Sequence, residues 1–465
     1  MVHAKIDSLP DEILLGIFSF YLTEGPDFRS HSWRWPTLVH VCRRWRTIVF
    51  ASPSRLDLRI RCTGRSRVKE MSDIWPALPI DIWATGAIPV CGSDDVDNII
   101  AALVHNDRIH RIWVDSDGCG FLERIATVIQ DPLPALTHLH MSAWVERPEV
   151  VFPEAFLGGS APCLLFLSLN GVAFSGIQKL LLTANYLVRL RLSNIPLSGY
   201  ISLSPEAVVT CLSALINLER LTIEFQFSRY QYHSERPNLP PPPLTRIVLP
   251  VLAHFRVKGD SEYIEDLVSR IDVPLLDHAH ITFFNQPTFV VPRLHDFLSR
   301  TECFTPHSHG AVLFDSIDAM FKLKPESLSL KVECAFSAIQ LSLMSQICSS
   351  SLHPFSTLER LEICEAGLSP GYWPDYIENA DWLDLIRPFI ALQDLYLGDE
   401  LALRIVPALQ ELAGEGTAEG LPELQNIFIE WLQPSGPLQE AIVQFVATRQ
   451  LSGRPVAVHR WERWE

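Results

Sequence analysis

Four histidines are the first candidates for chemistry. His278 and His280 stand two residues apart, a spacing that puts both imidazoles on one face of a β-strand. His307 and His309 repeat the spacing, and four such rings are a conceivable metal cluster. No carboxylate or cysteine is fixed at ligand spacing beside them, so surface or inter-repeat packing is the stronger reading, and no metal and no cofactor are expected. Asp94, Asp95 and Asp97 crowd three carboxylates together but lack the glycine and terminal glutamate of a calcium loop; they read as a solvated helix cap. Gly158-Gly159-Ser160 and His309-Gly310 place small residues beside a nucleophile or a base, yet neither has a partner motif, and both read as turns. The sequence has no Gly-x-Ser-x-Gly elbow, Walker loop, Gly-x-Gly-x-x-Gly or His-Glu-x-x-His. Its ten cysteines form no Cys-x-x-Cys pair, and several sit in apolar runs as small hydrophobes. No catalytic constellation emerges, and the chain is not expected to be an enzyme.

Charge is more informative. The 465 residues carry 38 Lys/Arg against 54 Asp/Glu, unevenly distributed. Residues 1–70 hold a net charge of +5 and the remainder −21. A body this acidic is a poor binder of nucleic acid, whose phosphates demand basic surface. Residues 371–440 alone carry −11. Within them Asp394, Asp399 and Glu400 fall on or just after one predicted strand, and Glu430 ends the next. They are expected to form a negative strand-end rim, read either as a solvated face or as a docking site for a basic protein target. No apolar stretch approaches the roughly 20 residues that span a bilayer. The run Ile13–Phe18 is short and flanked by acids, unlike a secretion signal, and there is no Asn-x-Ser/Thr sequon. With dispersed cysteines, this points to a reducing compartment, the cytoplasm and/or the nucleus, with no membrane partner.

The elements that carry these residues repeat. An apolar-x-x-apolar-x-apolar unit appears at Ile109-Ile112-Val114, Leu136-Leu139-Met141, Leu164-Leu167-Leu169, Leu187-Leu190-Leu192 and Leu218-Leu221-Ile223. It returns at Leu252-Phe255-Val257, Leu276-Ala279-Ile281, Leu358-Leu361-Ile363, Leu392-Leu395-Leu397 and Leu424-Ile427-Ile429. The long gap after Leu276 is expected to hide two strands, near 311–314 and 328–332. Helical patterns fall between the strands, at 121–130, 176–184, 261–271, 337–349, 375–392, 401–412 and 438–448. Ser204-Pro205-Glu206 is a further helix start, with a capping serine and a proline just inside. Strand then helix, many times over, resembles a leucine-rich-repeat solenoid without its asparagine ladder. The alternative is a conventional α/β domain with a parallel sheet. Residues 226–243, with four consecutive prolines, read as an extended insertion. The tail from Pro455, with Val456, Val458, Trp461 and Trp464, is the expected cap on the last repeat.

The N-terminus differs from all of this. Pro10 suits a helix start, Asp11 and Glu12 place negative charge at its positive end, and Ile13, Leu14, Ile17 and Phe18 form one stripe. Leu38, Val41, Cys42, Trp45, Ile48 and Val49 fit a second helix, with Arg43, Arg44 and Arg46 on its other side. The signatures Leu9-Pro10-x-Glu12-Ile13-Leu14-x-x-Ile17-Phe18 and Val41-Cys42-Arg43-Arg44-Trp45-Arg46 together resemble an F-box, in the form common in fungal F-box proteins. Two departures stand out. Tyr21–Trp35 is longer than the connection of a minimal F-box, and Arg55-Leu56 replaces the Leu-Trp that usually follows Pro53-Ser54. The resemblance implies a helical hairpin docking on a Skp-family adaptor, and through it a cullin, with Leu9, Pro10, Glu12, Ile13, Leu14, Ile17, Phe18, Val41, Cys42, Trp45 and Ile48 as the adaptor-binding set. The expected fold class is α/β: a small all-helical F-box (1–55), a linker with irregular first repeats (56–107) and an irregular leucine-rich-repeat-like solenoid (108–465). The expected function is substrate receptor of an SCF-type cullin ubiquitin ligase, holding a protein target on the repeats. The alternative is a non-catalytic repeat scaffold that uses the F-box for assembly without ubiquitin transfer.

Overall fold

The computed structural model describes residues 6, 9–23, 34–63, 75, 77–84, 93–116, 119–144, 149–226, 245–286, 291–304, 308–350, 355–365, 373–374, 376–414, 421–432 and 436–462. The chain divides into two compact units, Met1–Ser202 and Leu203–Glu465.

The first unit opens with three helices, α1 (Asp11–Thr23), α2 (Trp35–Val39) and α3 (Arg43–Ala51). The single helix expected over 38–49 is therefore two. Cys42 adopts an extended backbone and its sulfur accepts the Trp45 N–H at 3.5 Å, so the chain stops and restarts there. Strands β1 (Ile60–Cys62), β2 (Ile80–Ala84), β3 (Ile109–Ser116), β4 (His138–Ala143), β5 (Val150–Phe152), β6 (Phe166–Asn170), β7 (Val172–Phe174) and β8 (Arg189–Ile195) follow. β1, β2, β3, β4, β6 and β8 pair in that order, all parallel, and β5 with β7 makes a small side sheet. The repeat unit explains the register. Ile112, Leu139, Leu167 and Leu190 form one row across the sheet, Val114, Met141, Leu169 and Leu192 the next, and all eight are buried. Segment 56–107, expected as a linker with irregular first repeats, holds two of these strands and helix Ser93–Leu103.

The second unit repeats the scheme with β9 (Arg220–Phe225), β10 (Ile247–Val248), β11 (His254–Gly259), β12 (Ile271–Asp272), β13 (His278–Phe284), β14 (His309–Phe314), β15 (Asp318–Leu323), β16 (Leu328–Glu333), β17 (Arg360–Glu365), β18 (Asp394–Leu397), β19 (Asn426–Glu430) and β20 (Ala457–Trp461). β9, β11, β13 and β16 are parallel neighbours. β16, β15 and β14 then form an antiparallel meander, after which β14, β17, β18, β19 and β20 are again parallel. The two strands expected in the long gap are β14 and β16; β15 between them is an addition. Ile223, Val257, Ile281 and Leu330 make one buried row, and Val312, Ile363, Leu397 and Ile429 another.

Helices alternate with the strands as the pattern requires. Ser204 caps Pro205–Leu212 through the Ala207 N–H at 3.4 Å. Pro292–Arg300 is a helix the sequence reading passed over. Its start is capped from a neighbouring helix: buried Glu265 accepts the backbone N–H groups of Arg293 at 2.9 Å and Leu294 at 2.7 Å. The helix expected over 375–392 is shorter, Asn379–Ile386, with a Glu378/Asp381 capping box. The tail supplies β20 rather than a loose aromatic cover, with Val456 buried beside it. Trp464 and most of the proline-rich insertion lie outside the described residues.

Candidate functional site

Three surfaces carry side chains that folding alone does not account for. The first is on the N-terminal helices. Arg44 on α3 fixes the start of α1: its guanidinium donates to the Leu9 carbonyl at 2.5 Å and pairs with Asp11 at 2.6 Å. Phe18 and Trp45 pack at 4.7 Å between ring centroids. The residues singled out in this segment separate cleanly. Leu14, Phe18 and Ile48 are buried, while Leu9 and Trp45 are half-buried. Pro10, Glu12, Ile13, Ile17, Val41 and Cys42 are on the surface. Ile13 and Ile17 are 51% and 45% exposed, one helical turn apart, and Phe20, which the sequence reading passed over, is 63% exposed. Contiguous exposed apolar side chains of this size mark interaction surfaces more often than solvated ones.

The second surface is the open face of the sheet in the first unit. Parallel in-register pairing puts Trp83, Trp113, His140 and Ser168 in one row. Trp83 stacks on Trp113 at 5.2 Å, and Trp113 on His140 at 4.1 Å. Asp115 takes the Trp113 indole N–H at 3.1 Å and lies 2.8 Å from His140 Nε2. One row further, Asn170 donates to Ser142 at 2.9 Å and accepts from Ser193 at 3.1 Å.

The third surface is the open face over β9, β11, β13, β16 and β15, where a cavity of about 600 Å³ opens. Its central row reads Thr222, Arg256, His280, Ser329, Lys322. Lys331 lies two residues along β16 from Ser329, and Arg220 two residues before Thr222; both line the cavity. Burial, then Arg256, Lys331 and Lys322, pull the His280 imidazole down to about 4. The Ser329 hydroxyl is buried without a hydrogen-bond partner among the described residues. His278 and His280 do share this face, but what surrounds His280 is cationic, which disfavours a metal ion. His307 lies outside the described residues, and among the described residues no group of three or more potential ligands assembles. Arg256, Lys322, Lys331 and Ser329 escaped sequence reading. The available signal was four outward strand positions, three of them basic, within an acidic body.

The acidic rim is only partly assembled. Asp399 and Glu400 form the first turn of helix Asp399–Gly414, at the carboxyl end of β18. Leu397 pairs with Ile429, which sets Glu430 beside Gly398. Glu365, ending β17, joins them: burial first, and also Glu400 and Asp399, push its carboxyl above the usual carboxylate range. Asp394 sits at the other end of β18, paired with Arg360 at 3.1 Å and accepting from Asn426 at 2.8 Å. Asp97 pairs with Arg124 at 3.4 Å, and the Asp94 and Asp95 side chains lie outside the described residues. Gly158 and Gly159 form a tight turn with positive φ, as expected.

Residues 6–54 match the F-box-like family. No curated protein matches the chain. Among solved structures, the leucine-rich repeat-containing protein LegL7 from Legionella pneumophila aligns over 83% of this chain and 97% of its own, at 11% identity and a TM-score of 0.28. A score this low adds nothing to the strand order and register described above. The chain thus joins an F-box-like N-terminal segment to an α/β array of strand–helix repeats. No helix among the described residues is long and apolar enough to cross a membrane.

Proposed function

We propose that this chain is a substrate receptor of an SCF-type cullin ubiquitin ligase, of the fungal F-box form, acting in the cytoplasm or nucleus. Residues 1–55 dock on a Skp-family adaptor, and the repeats hold a protein target. The observation that carries this reading is the exposed apolar stripe Ile13–Ile17, with Pro10 at the start of the same helix and Val41 also exposed, within the segment that matches the F-box-like family. Leu14, Phe18 and Ile48 serve the reading from beneath, by holding the helices that present the stripe. The contribution to ubiquitin transfer is proximity: a bound target's lysines are held at high local concentration beside the transfer machinery, and the receptor performs no chemistry. The acidic end of the second unit, with Asp399, Glu400 and Glu430, supports a basic segment on the target; Asp394, paired with Arg360, contributes less.

The test is co-purification of the full chain with a Skp-family adaptor. Ile13→Glu/Ile17→Glu places two charges in the stripe and leaves the buried side chains untouched. Truncating an interface anchor costs about 2 kcal/mol or more, which is at least roughly 30-fold in affinity. Adaptor binding by the wild type and its loss in this variant is the expected result. Equal recovery by both chains overturns the reading. A target whose turnover stops on cullin inhibition, and on the double substitution, identifies a receptor; unchanged turnover identifies the scaffold.

A further inference from the structure

The cavity over β9, β11, β13, β16 and β15 is chemically specific. Side chains on paired strands, parallel or antiparallel, stand about 5 Å from their row neighbours. Arg256, His280, Ser329 and Lys322 therefore line up across the sheet with no gap. Every formal charge in this row is positive. The carboxylates near it lie off the row: Glu224 is 3.8 Å from Arg256, Glu326 3.4 Å from Lys322, and Asp318 2.5 Å from Lys331. Glu326 is largely solvated and its pairing with Lys322 is correspondingly weak. Arg220, at the edge, makes no ion pair among the described residues. The row also contains a hydroxyl, Ser329 Oγ, that is shielded from solvent and has no hydrogen-bond partner among the described residues. Buried hydroxyls without partners are rare; Ser329 lines the cavity and is only half-buried, so rotation about its Cα–Cβ bond turns the hydroxyl toward an incoming acceptor.

We infer that this cavity binds an extended acidic peptide segment of a partner protein, with a carboxylate seated over His280 and Ser329 between Arg256 and Lys322. The inference rests on the reading of the repeats as the target-holding part and specifies what one target segment must offer. Ser329 donates its hydroxyl to the carboxylate, and the two flanking cations supply charge-assisted hydrogen bonds. Charge complementarity selects the occupant. Residues 71–465 carry −21, so a long polyanion such as nucleic acid is repelled by most of the body beyond the cavity, whereas a short acidic segment is attracted within it. Five adjacent strands span about 19 Å, the length of roughly six extended residues. Alternate residues of an extended segment face the same way, so about three of the six side chains reach the row.

The experiment uses the full chain and two fluorescein-labelled decapeptides, one with Asp or Glu at alternate positions and one with the matching Asn or Gln. Anisotropy is read at low and physiological salt. The acidic peptide should bind at least tenfold more tightly than its amide twin, and more weakly as salt rises. Arg256→Glu/Lys322→Glu should abolish that preference while leaving a cooperative thermal melt and full adaptor recovery. Ser329→Ala, which removes only the hydroxyl, should weaken binding by about threefold to tenfold. Ile13→Glu/Ile17→Glu should leave peptide binding intact, so the failure of adaptor docking and the failure of this inference remain distinguishable. Equal binding of the two peptides, absence of binding, or an unchanged affinity in the charge-reversed chain overturns it. So does a single-stranded oligonucleotide that binds more tightly than the acidic peptide through the same residues.

Discussion

The open face of β2, β3, β4, β6 and β8 and that of β9, β11, β13, β16 and β15 are built on the same plan and finished differently. Both are in-register rows of outward side chains over a floor of buried aliphatics. In the first, neighbours in a row satisfy one another. Trp83, Trp113 and His140 stack, Asp115 takes hydrogens from two of them, and Ser142, Asn170 and Ser193 form a chain of hydrogen bonds. In the second, Arg256 and Lys322 flank His280 and Ser329, and the row neighbours leave that hydroxyl unsatisfied. Rings close a surface because they attract face to face; cations hold one open because they do not. The identity of the residue between two core positions of a strand thus decides whether a repeat face is a wall or a receptor.

The comparison would fail if the second unit were simply looser throughout. Glu265 tests this with the largest expected effect. It is 1% exposed and accepts the first two N–H groups of helix Pro292–Arg300. Glu265→Ala leaves two buried donors unpaired and should cost about 3 kcal/mol in chemical denaturation at pH 6. Burial pushes this carboxyl up to about 7. Between about pH 4.5 and 7 the folded chain then keeps a proton that the unfolded chain has released. Wild-type stability from this group therefore falls as pH rises through that window, and the gap between wild type and variant should narrow by pH 8. A loss below about 1 kcal/mol at pH 6 would mean the inner side is also slack.

The second test is paired. Trp113 is half-buried and touches rings on both sides. Trp113→Ala should cost about 2 kcal/mol, about half of a fully buried Trp truncation. His280→Ala removes a ring with no stacking partner in its row and should cost about 0.5 kcal/mol or less. Similar losses for both would erase the distinction between wall and receptor.

Much of this was legible in the sequence, and the limits have physical causes. Ten strands announced themselves because a parallel strand buried on one face repeats its apolar side chains at fixed offsets. β15 did not, since Ala319, Phe321 and Leu323 alternate without the repeat's leading leucine, and its antiparallel pairing belongs to no repeat. Helix Pro292–Arg300 was legible, with Pro292 at its start and Leu294, Phe297 and Leu298 on one stripe; only its cap, Glu265 in a different helix, was not. The division of the N-terminal apolar set into buried Leu14 and Phe18 and exposed Ile13 and Ile17 depends on which side the other helices cover, which periodicity does not say. The cavity row was the least legible feature. His280 was noticed, but Arg256, Ser329 and Lys322 come from three other strands, and only the register between strands brings them into line.

The smallest expected effect has the most diagnostic sign. Lys322 stands in a row with Arg256 and diagonal to Lys331, and the carboxylate it pairs with among the described residues, Glu326, is 79% exposed. Like charges on one sheet face destabilise by a few tenths of a kcal/mol, and a solvated ion pair returns little of that. Lys322→Gln should therefore stabilise the chain by about 0.3 kcal/mol at low salt. The gain should fade near 1 M salt, where the Debye length is about 3 Å and the repulsion is already screened. The same substitution should weaken the acidic peptide. A side chain that stability is better without, and binding is worse without, is held by selection for binding. If Lys322→Gln instead destabilises the chain at both salt levels, the cations are part of the fold's own network and this face is as closed as the other.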